Sequence, residues 1–131
     1  MTPVLRKILY AEDDPDIQEL TLLALESLGG FTVTCCNSGE QVVRLAQEVR
    51  PDLVLMDVMM PTVDGPTALQ FLRDTQGCET IPVIFMTAKV MENEVQLFKD
   101  MGALDVIRKP YDPMTLCSDI SEIWQRWCSE R

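Results

Sequence analysis

There is no histidine anywhere in the 131 residues. That absence removes Ser-His-Asp and Cys-His catalysis outright, and it takes away the residue that commonly completes a cysteine zinc site. Basic residues are scarce as well: eleven Lys and Arg stand against 21 Asp and Glu, a formal net charge of −10. Direct nucleic-acid binding is not expected of such a chain, because affinity for a phosphate backbone comes from Lys and Arg. No apolar run approaches the ~18 residues of a membrane helix, so no membrane insertion is expected. The first seven residues lack a signal-peptide layout and lead straight into an apolar run. Cysteines are present (Cys35, Cys36, Cys78, Cys117 and Cys128), but their odd number and irregular spacing suit neither a disulfide framework nor a metal motif. Reduced thiols in a cytoplasmic protein are the expectation.

What the chain does have is alternation. Short β-branched and aliphatic runs are separated by amphipathic stretches, with no internal repeat and no linker. The pattern predicts strands over 6–11, 31–35, 52–57, 82–87 and 104–108, and helices over 15–28, 38–48, 64–74, 92–101 and 112–128. Strands alternating with helices of this length imply right-handed crossovers, hence an α/β fold with a doubly wound, five-stranded parallel sheet and five helices. Punctuation agrees. Gly29-Gly30 ends the first helix, Ser38 with Gln41 fits a capping box, and Asp64 caps the third helix. Along the first helix Ile17, Leu20, Thr21, Ala24 and Leu28 share a predicted buried face.

Four of the apolar runs end in polar groups suited to one phosphoryl group. Ligands of open α/β sheets sit beyond the carboxyl ends of the strands, and there the chain places Glu12-Asp13-Asp14, Asp57, Thr87 and Lys109. Three consecutive acids after a buried strand are costly unless a cation neutralises them. One or two carboxylates plus water is how proteins hold Mg²⁺. Asp14, before Pro15, also reads as the N-cap of the first helix, which leaves Glu12 and Asp13 for a metal. Asp57 closes a buried strand, and a carboxylate beside a metal can act as a nucleophile towards phosphorus. The Met59 backbone carbonyl is a further candidate metal ligand. Thr87 offers a hydroxyl to a phosphoryl oxygen, and Lys109 a point charge to another.

These residues, with Met60-Pro61, Asp64-Gly65, Ala88 and Pro110, resemble the receiver domain of two-component response regulators over about residues 5–128. The likeness is to single-domain regulators of the chemotaxis type, which implies one receiver domain over 1–131 and no output domain. It implies a phosphorelay switch, not a conventional enzyme. A histidine kinase or phosphotransfer protein would donate a phosphoryl group to Asp57, with Mg²⁺ on Asp13, Asp57 and the Met59 carbonyl and with Glu12 bonding through water. Thr87 and Lys109 would bind the phosphoryl oxygens, and a changed surface around helix 4, strand 5 and helix 5 would control a downstream protein or pair two copies of the chain. The resemblance also implies a cis Lys109-Pro110 peptide. A small phosphohydrolase and a flavin module are rival readings of such a sheet. The first lacks a second acid at Met59, and the second lacks a Gly/Ser-rich phosphate loop after the first strand.

One position departs from the family. Three residues before the lysine stands Val106, where many members carry Tyr or Phe. Output would then depend on the loop Ala88-Lys89-Val90-Met91 and on Val95, Phe98 and Met101 of the fourth helix. In the last helix Leu116, Ile120, Ile123, Trp124 and Trp127 form an apolar stripe; the first three suit the core, while Trp124 and Trp127 are candidates for a partner surface.

Overall fold

The computed structural model describes residues 3–88 and 92–130. Strands β1 (Lys7–Ala11), β2 (Thr32–Cys36), β3 (Leu53–Asp57), β4 (Val83–Thr87) and β5 (Asp105–Arg108) form one sheet, ordered β2-β1-β3-β4-β5. Every pairing is parallel. Helices α1 (Pro15–Leu23), α2 (Gly39–Val49), α3 (Gly65–Arg73), α4 (Glu92–Asp100) and α5 (Pro113–Ser129) connect the strands. The chain reverses its strand order between β1 and β3, so their carboxyl ends open the crevice in which such folds bind ligands.

Alternation along the strands divides the core. Leu9, Ala11, Val54, Met56, Val83 and Phe85 face Val42, Ala46, Leu69, Leu72 and Phe98 of α2, α3 and α4. Ile8, Tyr10, Leu53, Leu55, Ile84 and Met86 face Leu25 and the α5 residues Leu116, Ile120, Ile123 and Trp124. Burial on both faces is why these strands read as continuous apolar runs.

The first helix differs from its predicted form. After Leu23 it widens into a π-helical turn over Ala24–Leu28, where Gly29 N donates to Ala24 O at 3.2 Å. Thr21, Ala24 and Leu25 are buried at ordinary helical spacing, whereas Leu20, expected on the buried face, is 52% exposed ahead of the π turn, and the extra residue in that turn rotates Leu28 out to solvent as well. The helix then stops as expected: Gly30 takes φ +69°, and Phe31 N returns to Leu25 O at 3.1 Å. Asp14 and Asp64 cap α1 and α3 through their carboxylates. Ser38 does not cap α2 with its side chain; Gln41 Oε1 instead accepts from Asn37 N at 3.0 Å, one residue outside the expected box. Of the two tryptophans, Trp124 is a core residue, its Nε1 donating to Pro3 O at 2.9 Å, and Trp127 packs partly buried against it.

Candidate functional site

At the carboxyl end of the sheet, β1 delivers Glu12 and Asp13, β3 delivers Asp57, β4 delivers Thr87 and β5 delivers Lys109. Backbone bonds fix each one. Glu12 N donates to Cys36 O at 3.0 Å and Lys109 N to Thr87 O at 2.8 Å, so neighbouring strand ends hold one another. Gln18, one turn into α1, reaches back with Nε2 to Glu12 O at 3.1 Å and Cys36 O at 2.9 Å.

Asp57 is 7% exposed. Its Oδ1 accepts from Met59 N at 3.1 Å, and Val58 N donates to Met86 O at 3.0 Å, which seats the loop leaving β3. Helix α3 begins against this strand end. A Cβ on Gly65 would lie 2.6 Å from Asp57 O, so the approach demands glycine. Thr62, in the same loop, sits at φ +68°.

Lys109 bridges the acids. Its Nζ lies 3.0 Å from Asp57 Oδ2 and 2.5 Å from Glu12 Oε1. Glu12, expected to act through water on a metal, here contacts the lysine directly. Burial raises the Glu12 carboxyl to about 7; the Asp57 carboxylate adds to that and Lys109 works against it. Burial alone would lower Lys109, but its bonds to Glu12 and Asp57 outweigh this and leave it raised. The Lys109-Pro110 peptide is cis, as expected.

Glu12, Asp13 and Asp57 each present a carboxylate oxygen within 4.8 Å of the other two. Hard oxygen donors at this separation fit a small divalent cation such as Mg²⁺. Asp13 is exposed, so the set opens to solvent on one side. Thr87 is buried at 4% exposure, at the end of the strand beside Asp57. Asp14 stands apart as a helix cap, accepting from Asp16 N at 2.9 Å. Residues 89–91 of the loop after Thr87, including Lys89, Val90 and Met91, lie outside the described residues. Val106 pairs with Phe85 in register and packs partly buried against the α4 side of the core. No helix among the described residues is long and apolar enough to cross a membrane.

Sequence reasoning missed three groups. Gln18 and Asp52, whose carboxylate accepts from Arg6 N and Lys7 N, brace the two ends of β1. Tyr111 is hydrogen-bonded to Thr21 across 90 residues. Nothing in the local pattern marks a contact of that range.

Comparison with known proteins gives the family. A model of the response regulator receiver domain matches residues 8–121. The transcriptional regulatory protein CseB of Streptomyces coelicolor is 37% identical over 92% of the chain, a region that is 50% of that protein. The chain thus spans about half the length of the curated relatives it matches. Among solved structures, the receiver domain of the sensor histidine kinase PA1611 of Pseudomonas aeruginosa superposes with TM-score 0.80 at 31% identity. The match covers 96% of this chain and 99% of that one, and that structure has a magnesium ion coordinated in its active-site cleft. A response regulator from Chloroflexus aurantiacus matches at TM-score 0.83 and 27% identity, over 94% of this chain and 100% of that one.

Proposed function

The chain belongs to the response regulator receiver domain family of two-component signalling, and from that premise we propose that it is a phosphorelay switch whose phosphoacceptor is Asp57. The observation that carries this is the convergence of Asp57 with two further carboxylates and the Lys109 ammonium at one strand-end pocket. A phosphohistidine on a histidine kinase or phosphotransfer protein is the donor. An Asp57 carboxylate oxygen attacks phosphorus, the O–P bond forms as the N–P bond breaks, and the freed imidazole takes a proton from solvent. Asp13, Asp57 and the Met59 carbonyl would hold Mg²⁺, with Glu12 bonding to it through water, and the ion would offset charge on the phosphoryl oxygens and among the acids.

The chain's own residues do the rest. Lys109 exchanges its bond to Asp57 for one to a phosphoryl oxygen, and Thr87 donates its hydroxyl to another. Positioning and charge neutralisation are what in-line phosphoryl transfer asks of a protein. No turnover of an external substrate is needed, so the protein is a switch more than an enzyme. Movement of Thr87 is passed to α4, β5 and α5, where Lys99, Asp105 and Arg126 form ion pairs of 3.5–3.6 Å. A downstream protein or a second copy of the chain docks on that face. The free cysteines suit a cytoplasmic setting.

Incubation with acetyl phosphate or a histidine kinase, with and without Mg²⁺, tests the reading by intact-mass spectrometry. One Mg²⁺-dependent phosphate on the wild type and none on Asp57→Asn is the expected result. Stoichiometric labelling of Asp57→Asn overturns it.

A further inference from the structure

Beside the acid–lysine pocket lies a group of three hydroxyls that the phosphoryl chemistry leaves unused. Tyr10 is on β1, two residues before Glu12; Thr21 is on α1; Tyr111 follows Lys109 by two residues. Thr21 and Tyr10 are fully buried, and Tyr111 packs partly buried against the same side of the core. Thr21 Oγ1 is hydrogen-bonded to the Tyr111 hydroxyl. A valine would fill the volume of Thr21 without needing a partner, so the hydroxyl is there for the bond and not for packing. Burial raises the Tyr111 phenol, which keeps it a neutral hydrogen-bonding group.

The location of that bond gives it a task. Lys109 must reach Glu12 and Asp57 at once, and a lysine side chain has many rotamers to lose. Its backbone is secured on one side by Lys109 N donating to Thr87 O at 2.8 Å. On the other side Pro110 has no N–H to give. The next anchors are at Asp112, which holds Met114 N, Thr115 N and Leu116 N in the first turn of α5. Tyr111 fills the interval, tied by its side chain to a helix that packs on the sheet.

We propose that Thr21 and Tyr111 are positioning residues for Lys109: their hydrogen bond fastens the segment leaving Lys109 to α1 and so sets the rate at which Asp57 takes up a phosphoryl group. The inference rests on the reading of Asp57 as phosphoacceptor. The bond also links the pocket to α1 without passing through Val106, the position where the family often carries an aromatic ring.

The test measures the rate of Mg²⁺-dependent labelling by acetyl phosphate in wild type, Thr21→Val, Thr21→Ser, Tyr111→Phe and the Thr21→Val/Tyr111→Phe pair, with thermal melting as a check on folding. Loss of one neutral hydrogen bond should slow labelling roughly three- to tenfold. The pair should be no slower than either single variant, since one bond is removed in each case, and Thr21→Ser should stay within about twofold of wild type, because the hydroxyl remains. Wild-type rates in Thr21→Val and Tyr111→Phe overturn the inference, as does a Thr21→Ser rate as slow as that of Thr21→Val. Multiplicative slowing in the pair does so too. Should Thr21→Val fail to fold, Tyr111→Phe against wild type decides alone. A wild type that takes no phosphate refutes the reading of Asp57, and this inference with it.

Discussion

Glu12→Gln should remove a pH dependence of folding that the wild type carries between about pH 4.5 and 7. Glu12 is 1% exposed, and burial raises its carboxyl from 4.5 to about 7. An acid raised in this way binds more protons folded than unfolded inside that window. Its stabilising contribution is complete below pH 4.5 and is lost as pH rises through 7. At ~1.36 kcal/mol per pH unit the loss amounts to about 3 kcal/mol. Glutamine at this position has no charge to desolvate and still presents an oxygen to Lys109 Nζ. Urea denaturation of both proteins in EDTA, from pH 4.5 to 8, gives a difference in which the other carboxylates largely cancel. That difference should favour Glu12→Gln increasingly with pH and level off above 7. Saturating Mg²⁺ should shrink it, since a bound cation favours the ionised carboxylate. Parallel stability curves across the window would show that the Glu12–Lys109–Asp57 group does not charge in the way its burial requires.

Three other outcomes follow from the same geometry. Mg²⁺ should raise the melting temperature of the wild type by binding only the folded state, and Asp13→Ala should lose that response while melting no lower in EDTA; an unchanged Mg²⁺ titration would show that Asp13 is not a ligand. Tyr10→Phe should leave stability within about 1 kcal/mol of wild type, because the buried Tyr10 hydroxyl makes no well-formed hydrogen bond and only neighbours the Thr21–Tyr111 pair; a urea midpoint lowered by more than that counts against it. Thr87→Ala should still accept phosphate at Asp57, yet amide hydrogen exchange over 88–101 should no longer respond to a phosphoryl mimic. Retention of the wild-type response in that variant would remove Thr87 from the switch.

The order of elements was legible because β1, β3 and β4 are buried on both faces and because α1 and α3 begin at recognisable caps. Asp14 and Asp64 are caps by residue type, and their carboxylates do accept the first-turn N–H groups. The errors fall where local preference competes with packing. A helical wheel drawn at 3.6 residues per turn cannot anticipate the π turn at Ala24–Leu28, which exposes Leu28. Gly29 lies against that turn: a Cβ there would stand 2.7 Å from Cys117 Sγ of α5. The close packing of α5 on the end of α1 involves residues some 90 positions apart, beyond the reach of any window of sequence. Ser38 makes no side-chain cap, and the Gln41 side chain bonds Asn37 N, one residue short of the Ser38 N–H that a capping box would use.

At the strand ends, sequence spacing located the groups but not their mutual distances. Parallel strands of known order bring Glu12, Asp57 and Lys109 to one edge whatever their rotamers. Whether the lysine meets one acid or two depends on the reach of three flexible side chains, and here it meets both, 2.5 Å from Glu12 and 3.0 Å from Asp57. That second contact changes the electrostatic logic of the pocket. A lysine bonded to Asp57 alone could pass to a phosphoryl oxygen without consequence elsewhere. A lysine bonded to both leaves Glu12 buried beside a new negative charge when it moves, unless a cation takes its place. If Asp57 accepts a phosphoryl group as proposed, metal binding and phosphoryl acceptance would be coupled through Glu12, and Glu12→Gln should weaken the Mg²⁺ dependence of labelling as well as the pH dependence of folding.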